Sequence, residues 1–164
     1  MGAYLASGHF WSATAENWES EFLQMASYVV LTVHLRQRGS AESSPYPDEL
    51  TPEERERARR DEQVRGFWKR NSLTLTLLGL FVLSFVVHLF GSWRDTVAEQ
   101  LARGQAAPSL GQFLGEPEFW FESFQNWQSE FLAVAAIVVL TIFLRQIGSS
   151  QSKALTDPDD KTGD

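Results

Sequence analysis

Cysteine is missing from all 164 residues, which excludes disulfides, thiolate metal sites and covalent haem attachment. Residues 1–21 hold no Lys or Arg and carry Glu16 and Glu19 instead. The basic n-region of a secretory signal peptide is therefore absent from that stretch. The P-loop, the dinucleotide-binding glycine fingerprint, GxSxG and any Ser/His/Asp spacing of a triad are also missing, so no enzyme and no cofactor is expected. Positive charge is short overall: the net charge is −7, whereas nucleic-acid binding needs a basic surface.

What is present is apolar surface concentrated in three places. The mean hydropathy of −0.22 looks soluble, but long polar stretches dilute the average. Leu73–Phe90 (LTLTLLGLFVLSFVVHLF) has no formal charge and is long enough to be read as a spanning helix. The runs Phe22–Leu35 and Phe131–Leu144 are shorter. Extended back to Trp18 and Trp127, each approaches the roughly 20 residues that a bilayer core requires.

Two of these runs belong to one repeated segment. Residues 10–44 and 119–153 align without a gap at an offset of 109, with 19 of 35 pairs identical. Both copies open on Asn-Trp-x-Ser-Glu-Phe-Leu, continue through an apolar run and leave through Leu-Arg-Gln-x-Gly-Ser. That order reads as a membrane helix with an aromatic outer doorway and a basic inner end. Trp11, Trp18, Trp120 and Trp127 are the expected interfacial aromatics, on segments that lie along the headgroups and turn into the span. In the second copy the shared segment is preceded by the helix at 73–90 and a connector; in the first, Met1 already aligns with Leu110. The expected parent is two tandem two-helix units, and this chain reads as that parent without its first helix.

The fold expected is all-α: an integral membrane protein with three transmembrane helices. Residues 1–38 form the first repeat and 39–70 a cytoplasmic linker with a charged helix. Residues 71–148 form the second repeat with two spans and an outer connector, and 149–164 a disordered polar tail. Residues 36–70 carry nine Lys/Arg against two in 92–130, so the positive-inside rule puts 36–70 and the C-terminus in the cytoplasm. The location expected is the bacterial inner membrane. Within the linker, Thr51-Pro52-x-Glu54 signals a capped helix start, followed by Glu53/Arg57, Glu56/Arg60 and Asp61/Arg65 at i,i+4.

Glu21 and Glu130 are the leading candidates for chemistry. Each is a carboxylate one residue before an apolar run, with Asn17 or Asn126 four residues earlier on the same helix face. Such a group should face a bundle interior or the headgroups. The pair could bind a cation, relay protons or share one; equally, each could stabilise a helix start or bond a neighbouring helix. His88, near the outer end of the second span, could approach them, but no metal-ligand spacing such as HExxH is present. The partners expected are the lipid bilayer and either a second copy of the chain or the missing N-terminal helix. The function expected is a structural or interaction module that self-associates. The alternative is a small ion or proton transporter using Glu21 and Glu130.

The elements ENWESEFLQM (16–25) and NWQSEFLAV (126–134), with the LRQ-x-GS exits at 35–40 and 144–149, resemble an uncharacterised bacterial membrane-protein family classed only as a domain of unknown function. Its members similarly carry two copies of a two-helix unit, often with an additional N-terminal helix. The resemblance implies the architecture and no activity.

Overall fold

The computed structural model describes residues 8–64 and 66–163. Residues 1–7, at the expected outer end, lie outside the described residues, as do Asp164 and Arg65, the expected partner of Asp61. All regular structure among the described residues is helical: α1 Gly8–His34, α2 Pro52–Glu62, α3 Phe67–Arg70, α4 Ser72–Ala102, α5 Leu110–Phe113 and α6 Pro117–Phe143. Two of these, α4 and α6, are long and apolar enough to cross a membrane; α1 is 27 residues long, about 40 Å of helix.

The long helices run further than the apolar patterns indicate. α4 continues past Phe90 to Ala102, because residues 91–102 contain no proline and Gly91 is packed rather than bent. α6 runs unbroken from the aromatic segment at Pro117 into the apolar run, and α1 does the same from Gly8. The aromatic segments are thus the first turns of the long helices and not separate helices. Proline at the start of α6 suits a first helical position. At the far end of α4, Gly104 has φ 72° and ends the helix.

Two compact units result, one from the described residues up to Met25 with Thr76–Glu130, the other from Ala26–Leu75 with the residues from Phe131 onward. In the first unit, burial picks out one stripe on each long helix. On α1 it is Ser12, Ala15 and Glu19; on α4, Ser84, His88 and Gly91; on α6, Phe119 and Ser123. Spacings of three, four and seven mark a single helical face. Ser12 and Ala15 on α1 and Ser84 and Gly91 on α4 are small residues, which let two backbones approach closely. A methyl on Gly91 would lie 3.1 Å from the Ser12 backbone, and the Ser12 and Ser92 hydroxyls are hydrogen-bonded at 2.6 Å. Leu89, Phe113 and Phe119 form the buried apolar cluster, with Phe85, Trp93 and Trp120 packed on it. α5 enters through a Ser109/Gln112 capping box, and Trp93 donates its indole N–H to the Pro108 carbonyl at 3.0 Å.

The second unit holds the ends of the two repeated segments. Gly39 and Gly148 both take positive φ, 82° and 78°. The same hydrogen bonds recur at matching positions. The Gln37 and Gln146 amides donate to Ser43 Oγ and Ser152 Oγ, at 3.1 and 2.8 Å. The Glu42 and Gln151 amides donate to Ser40 Oγ and Ser149 Oγ, at 3.2 and 3.1 Å. The Leu-Arg-Gln-x-Gly-Ser motif is therefore a turn that closes on its own serines. Composition predicts disorder after residue 148, yet the tail carries specific contacts. The buried Lys153 ammonium donates to the carbonyls of Gly39 (2.6 Å), Asp159 (2.9 Å), Lys161 (3.1 Å) and Pro158 (3.4 Å). Burial pushes the pKa of that ammonium below the usual lysine value. In α2 the expected capping box forms, with Thr51 and Glu54 bonded reciprocally behind Pro52. Glu56 pairs with Arg60, and no residue of α2 is buried.

Candidate functional site

The charged group carried deepest into the first unit is Glu19. Its side chain and that of His88 are 1% and 0% exposed, with His88 Nδ1 2.8 Å from Glu19 Oε2. The other carboxylate oxygen, Oε1, accepts the indole N–H of Trp127 at 3.0 Å. One residue from each long helix therefore meets at a single carboxylate. Burying a carboxylate costs several kcal/mol unless donors replace its water; here an imidazole and an indole do so.

Each partner is held in turn. Phe119 packs on His88, ring centroids 5.0 Å apart. Phe81 meets Trp127 edge-on at 6.1 Å. Among the described residues, two buried side-chain polar atoms have no hydrogen-bond partner: His88 Nε2 and Ser123 Oγ. Ser123 is fully buried and stands four residues from both Phe119 and Trp127, on the same face of α6.

One turn before Glu19, Glu16 is half-buried and accepts the Asn126 amide at 3.2 Å. Glu16 also lines a groove of about 700 Å³ with His9, Asp95, Glu99, Glu118 and Glu122, over Phe113 and Phe119. No group of three or more His, Asp or Glu side chains among the described residues is placed to hold a metal ion.

Of the residues singled out from sequence, His88 and Asn126 take part in this cluster. Glu21 is exposed and makes no side-chain hydrogen bond or ion pair among the described residues; Glu130 is half-buried and makes none either. No hydrogen bond or ion pair joins the two side chains among the described residues. What reaches Glu130 from α1 is the Gln24 amide, which donates to its backbone carbonyl at 3.5 Å. Asn17 is exposed and donates to Ala13 O within its own helix. Trp11 and Trp18 are half-exposed, Trp11 lining a cleft of about 540 Å³ with Val86, Val87, Phe90 and Arg94. Trp120 and Trp127 instead turn their N–H groups to protein acceptors, Leu114 O at 2.9 Å and Glu19.

Glu19 itself was not among the sequence candidates. The repeat draws attention to carboxylates present in both copies, and Glu19 matches Gln128 in the second. The signal that finds it is helical register: Ser12, Ala15 and Glu19 share the small-residue face of α1.

The family model described as Domain of unknown function (DUF6766) matches residues 1–164. Neither the curated proteins nor the solved structures give a match.

Proposed function

We propose, for a chain that belongs to the family described as Domain of unknown function (DUF6766) over residues 1–164, a role as a three-span membrane module that associates with copies of itself. The observation that carries this reading is the exposure of its apolar helices. In α4 and α6 only 22% and 6% of the most apolar window is buried within the chain. Val82, Leu83, Leu132, Val139 and Phe143 are each more than half exposed. A soluble core helix would hide such side chains, and contiguous exposed apolar surface of this extent calls for lipid or another apolar partner.

α1 is the third span of this reading. Val33 in its last turn and Leu35 just beyond it are exposed, and of its acids the one turned inward, Glu19, is hydrogen-bonded by groups from α4 and α6. The excess of Lys and Arg in 36–70 supports a cytoplasmic position for that segment and for the C-terminus, and a bacterial inner membrane is the setting proposed. The role is non-enzymatic in this reading.

The test is fractionation of cells expressing the full chain, followed by a sodium carbonate wash and cross-linking in the membrane. The expected result is retention in the washed pellet and a cross-linked ladder of whole-number multiples. Release by carbonate overturns the membrane reading. Retention with a single monomer band at every cross-linker concentration overturns self-association.

A transport role keeps one geometric support, and it is not Glu21 with Glu130. An ionisable pair buried among long apolar helices is the type of group that proton pathways use, and Glu19–His88 is such a pair.

A further inference from the structure

An unprotonated His88 leaves the first unit with a net charge of −1 at its buried cluster. In that state His88 Nδ1–H and Trp127 Nε1–H both donate to the Glu19 carboxylate, and nothing balances the charge. One added proton brings the cluster to neutrality. Only one nitrogen can take the proton on the imidazole without disturbing the pair. That atom is Nε2, which is fully buried and lacks a partner. Before uptake it presents a lone pair and needs a donor; afterwards it presents an N–H and needs an acceptor.

A hydroxyl is the one neutral side-chain group that rotates between those two jobs. Ser123 Oγ, equally buried and equally without a partner, lies on α6 between Phe119, which packs on His88, and Trp127, which binds Glu19. We propose that Glu19, His88 and Ser123 form a proton-binding site, with His88 Nε2 the atom that takes the proton and the Ser123 hydroxyl, through one water, serving it in both states.

The step forms one N–H bond at Nε2 and breaks one O–H bond of a hydronium or of a neighbouring carboxylic acid; no electrons change hands. The titratable groups that face the site are Glu16 from α1 and, beside Glu16, Glu122 from α6. α4 adds Asp95 two turns beyond His88, in the groove that Glu16 also lines. α5 contributes no charge. Glu16 is thus the carboxyl placed between open water and the pair. The site needs only the fold of the first unit, so it stands or falls separately from membrane insertion and self-association.

The test is nitrogen NMR of the full chain with labelled histidine, in micelles, across pH 4.5–9. His9 and His34 are exposed, so the single variants His9→Gln and His34→Gln identify their signals and leave that of His88. The expected result is a His88 that carries its proton on Nδ1 at high pH and gains a second on Nε2 as pH falls. Its exchange between the two states should be at least tenfold slower than that of the other two. Ser123→Ala should lower its proton affinity about tenfold, and Ser123→Thr should restore it. A His88 that holds one protonation state throughout overturns the site. A Ser123→Ala protein that titrates like the original overturns the role of the hydroxyl.

Discussion

Trp127 and His88 bind opposite oxygens of one carboxylate, at 3.0 and 2.8 Å, so that Glu19 is the point where α6 and α4 are joined to α1. Truncating Glu19 leaves two buried donors facing a cavity. Glu19→Ala should therefore cost about 3–5 kcal/mol, with loss of the native Trp fluorescence as a second sign. Glu21→Ala, two residues away on an exposed face, should change stability by less than about 0.5 kcal/mol. Thermal unfolding of both variants in the same detergent checks the contrast. Equal losses would mean that the pair does not anchor the helices.

That contrast also measures what the sequence makes legible. The positions of α4 and α6 and the capped start of α2 follow from composition and local chemistry, because caps and apolar runs act over a few residues. The repeat shows where two turns share a design, and both Leu-Arg-Gln exits do close on their own serines. The repeat points to residues that both copies share, such as Glu21 and Glu130, whereas the buried charge of Glu19 stands where the copies differ. Glu19 faces His88 only because three helices meet at one level, and that meeting is long-range. The shared register of Ser12, Ala15 and Glu19 is the part of it carried within one helix.

The contact of Gly91 with Ser12 should be equally sensitive. A side chain at 91 would press on backbone atoms 3.1 Å away, which cannot retreat without moving α1. Gly91→Ala is expected to destabilise by about 1–3 kcal/mol and to weaken the Ser12–Ser92 hydrogen bond. At Gly79, in the same helix, an added methyl meets nothing within 4 Å. Gly79→Ala should gain up to about 1 kcal/mol from helix propensity. Denaturation midpoints of the two variants should move in opposite directions.

Strong acid should release the cap of α2. The Thr51 hydroxyl and backbone N–H, both bonded to Glu54, hold its carboxyl below the ordinary 4.5. A lowered folded value means that the cap contributes fully above 4.5 and is lost as pH falls through the lowered value. The Thr51 amide resonance, whose N–H donates to Glu54 Oε2 at 2.7 Å, should shift with that titration. In Glu54→Gln the pH dependence should vanish. A Thr51 amide that is silent below pH 4.5 would show that the box is not formed.

Gly39 and Gly148 occupy equivalent turns but should tolerate alanine differently. Both need positive φ, which costs a side-chain-bearing residue about 1–2 kcal/mol. Only at Gly39 would the added carbon also collide with the tail, 2.2 Å from the Asp159 carbonyl oxygen. Limited proteolysis between 154 and 163 should run roughly tenfold faster in Gly39→Ala than in Gly148→Ala, since cleavage follows the population of the undocked tail. Equal rates would mean that the tail does not rest on the first exit.

The Lys153 ammonium joins a residue to the carbonyl of Gly39, 114 positions earlier in the chain. Gly39 leaves the ribosome long before Lys153 is made. The first exit must therefore wait, with its carbonyl unclaimed, while both apolar helices emerge. Closure of the second unit therefore follows synthesis of residue 153. A nascent chain stalled before residue 153 should leave the Gly39 carbonyl without its ammonium partner, although the exit turn itself can already close on its own serines.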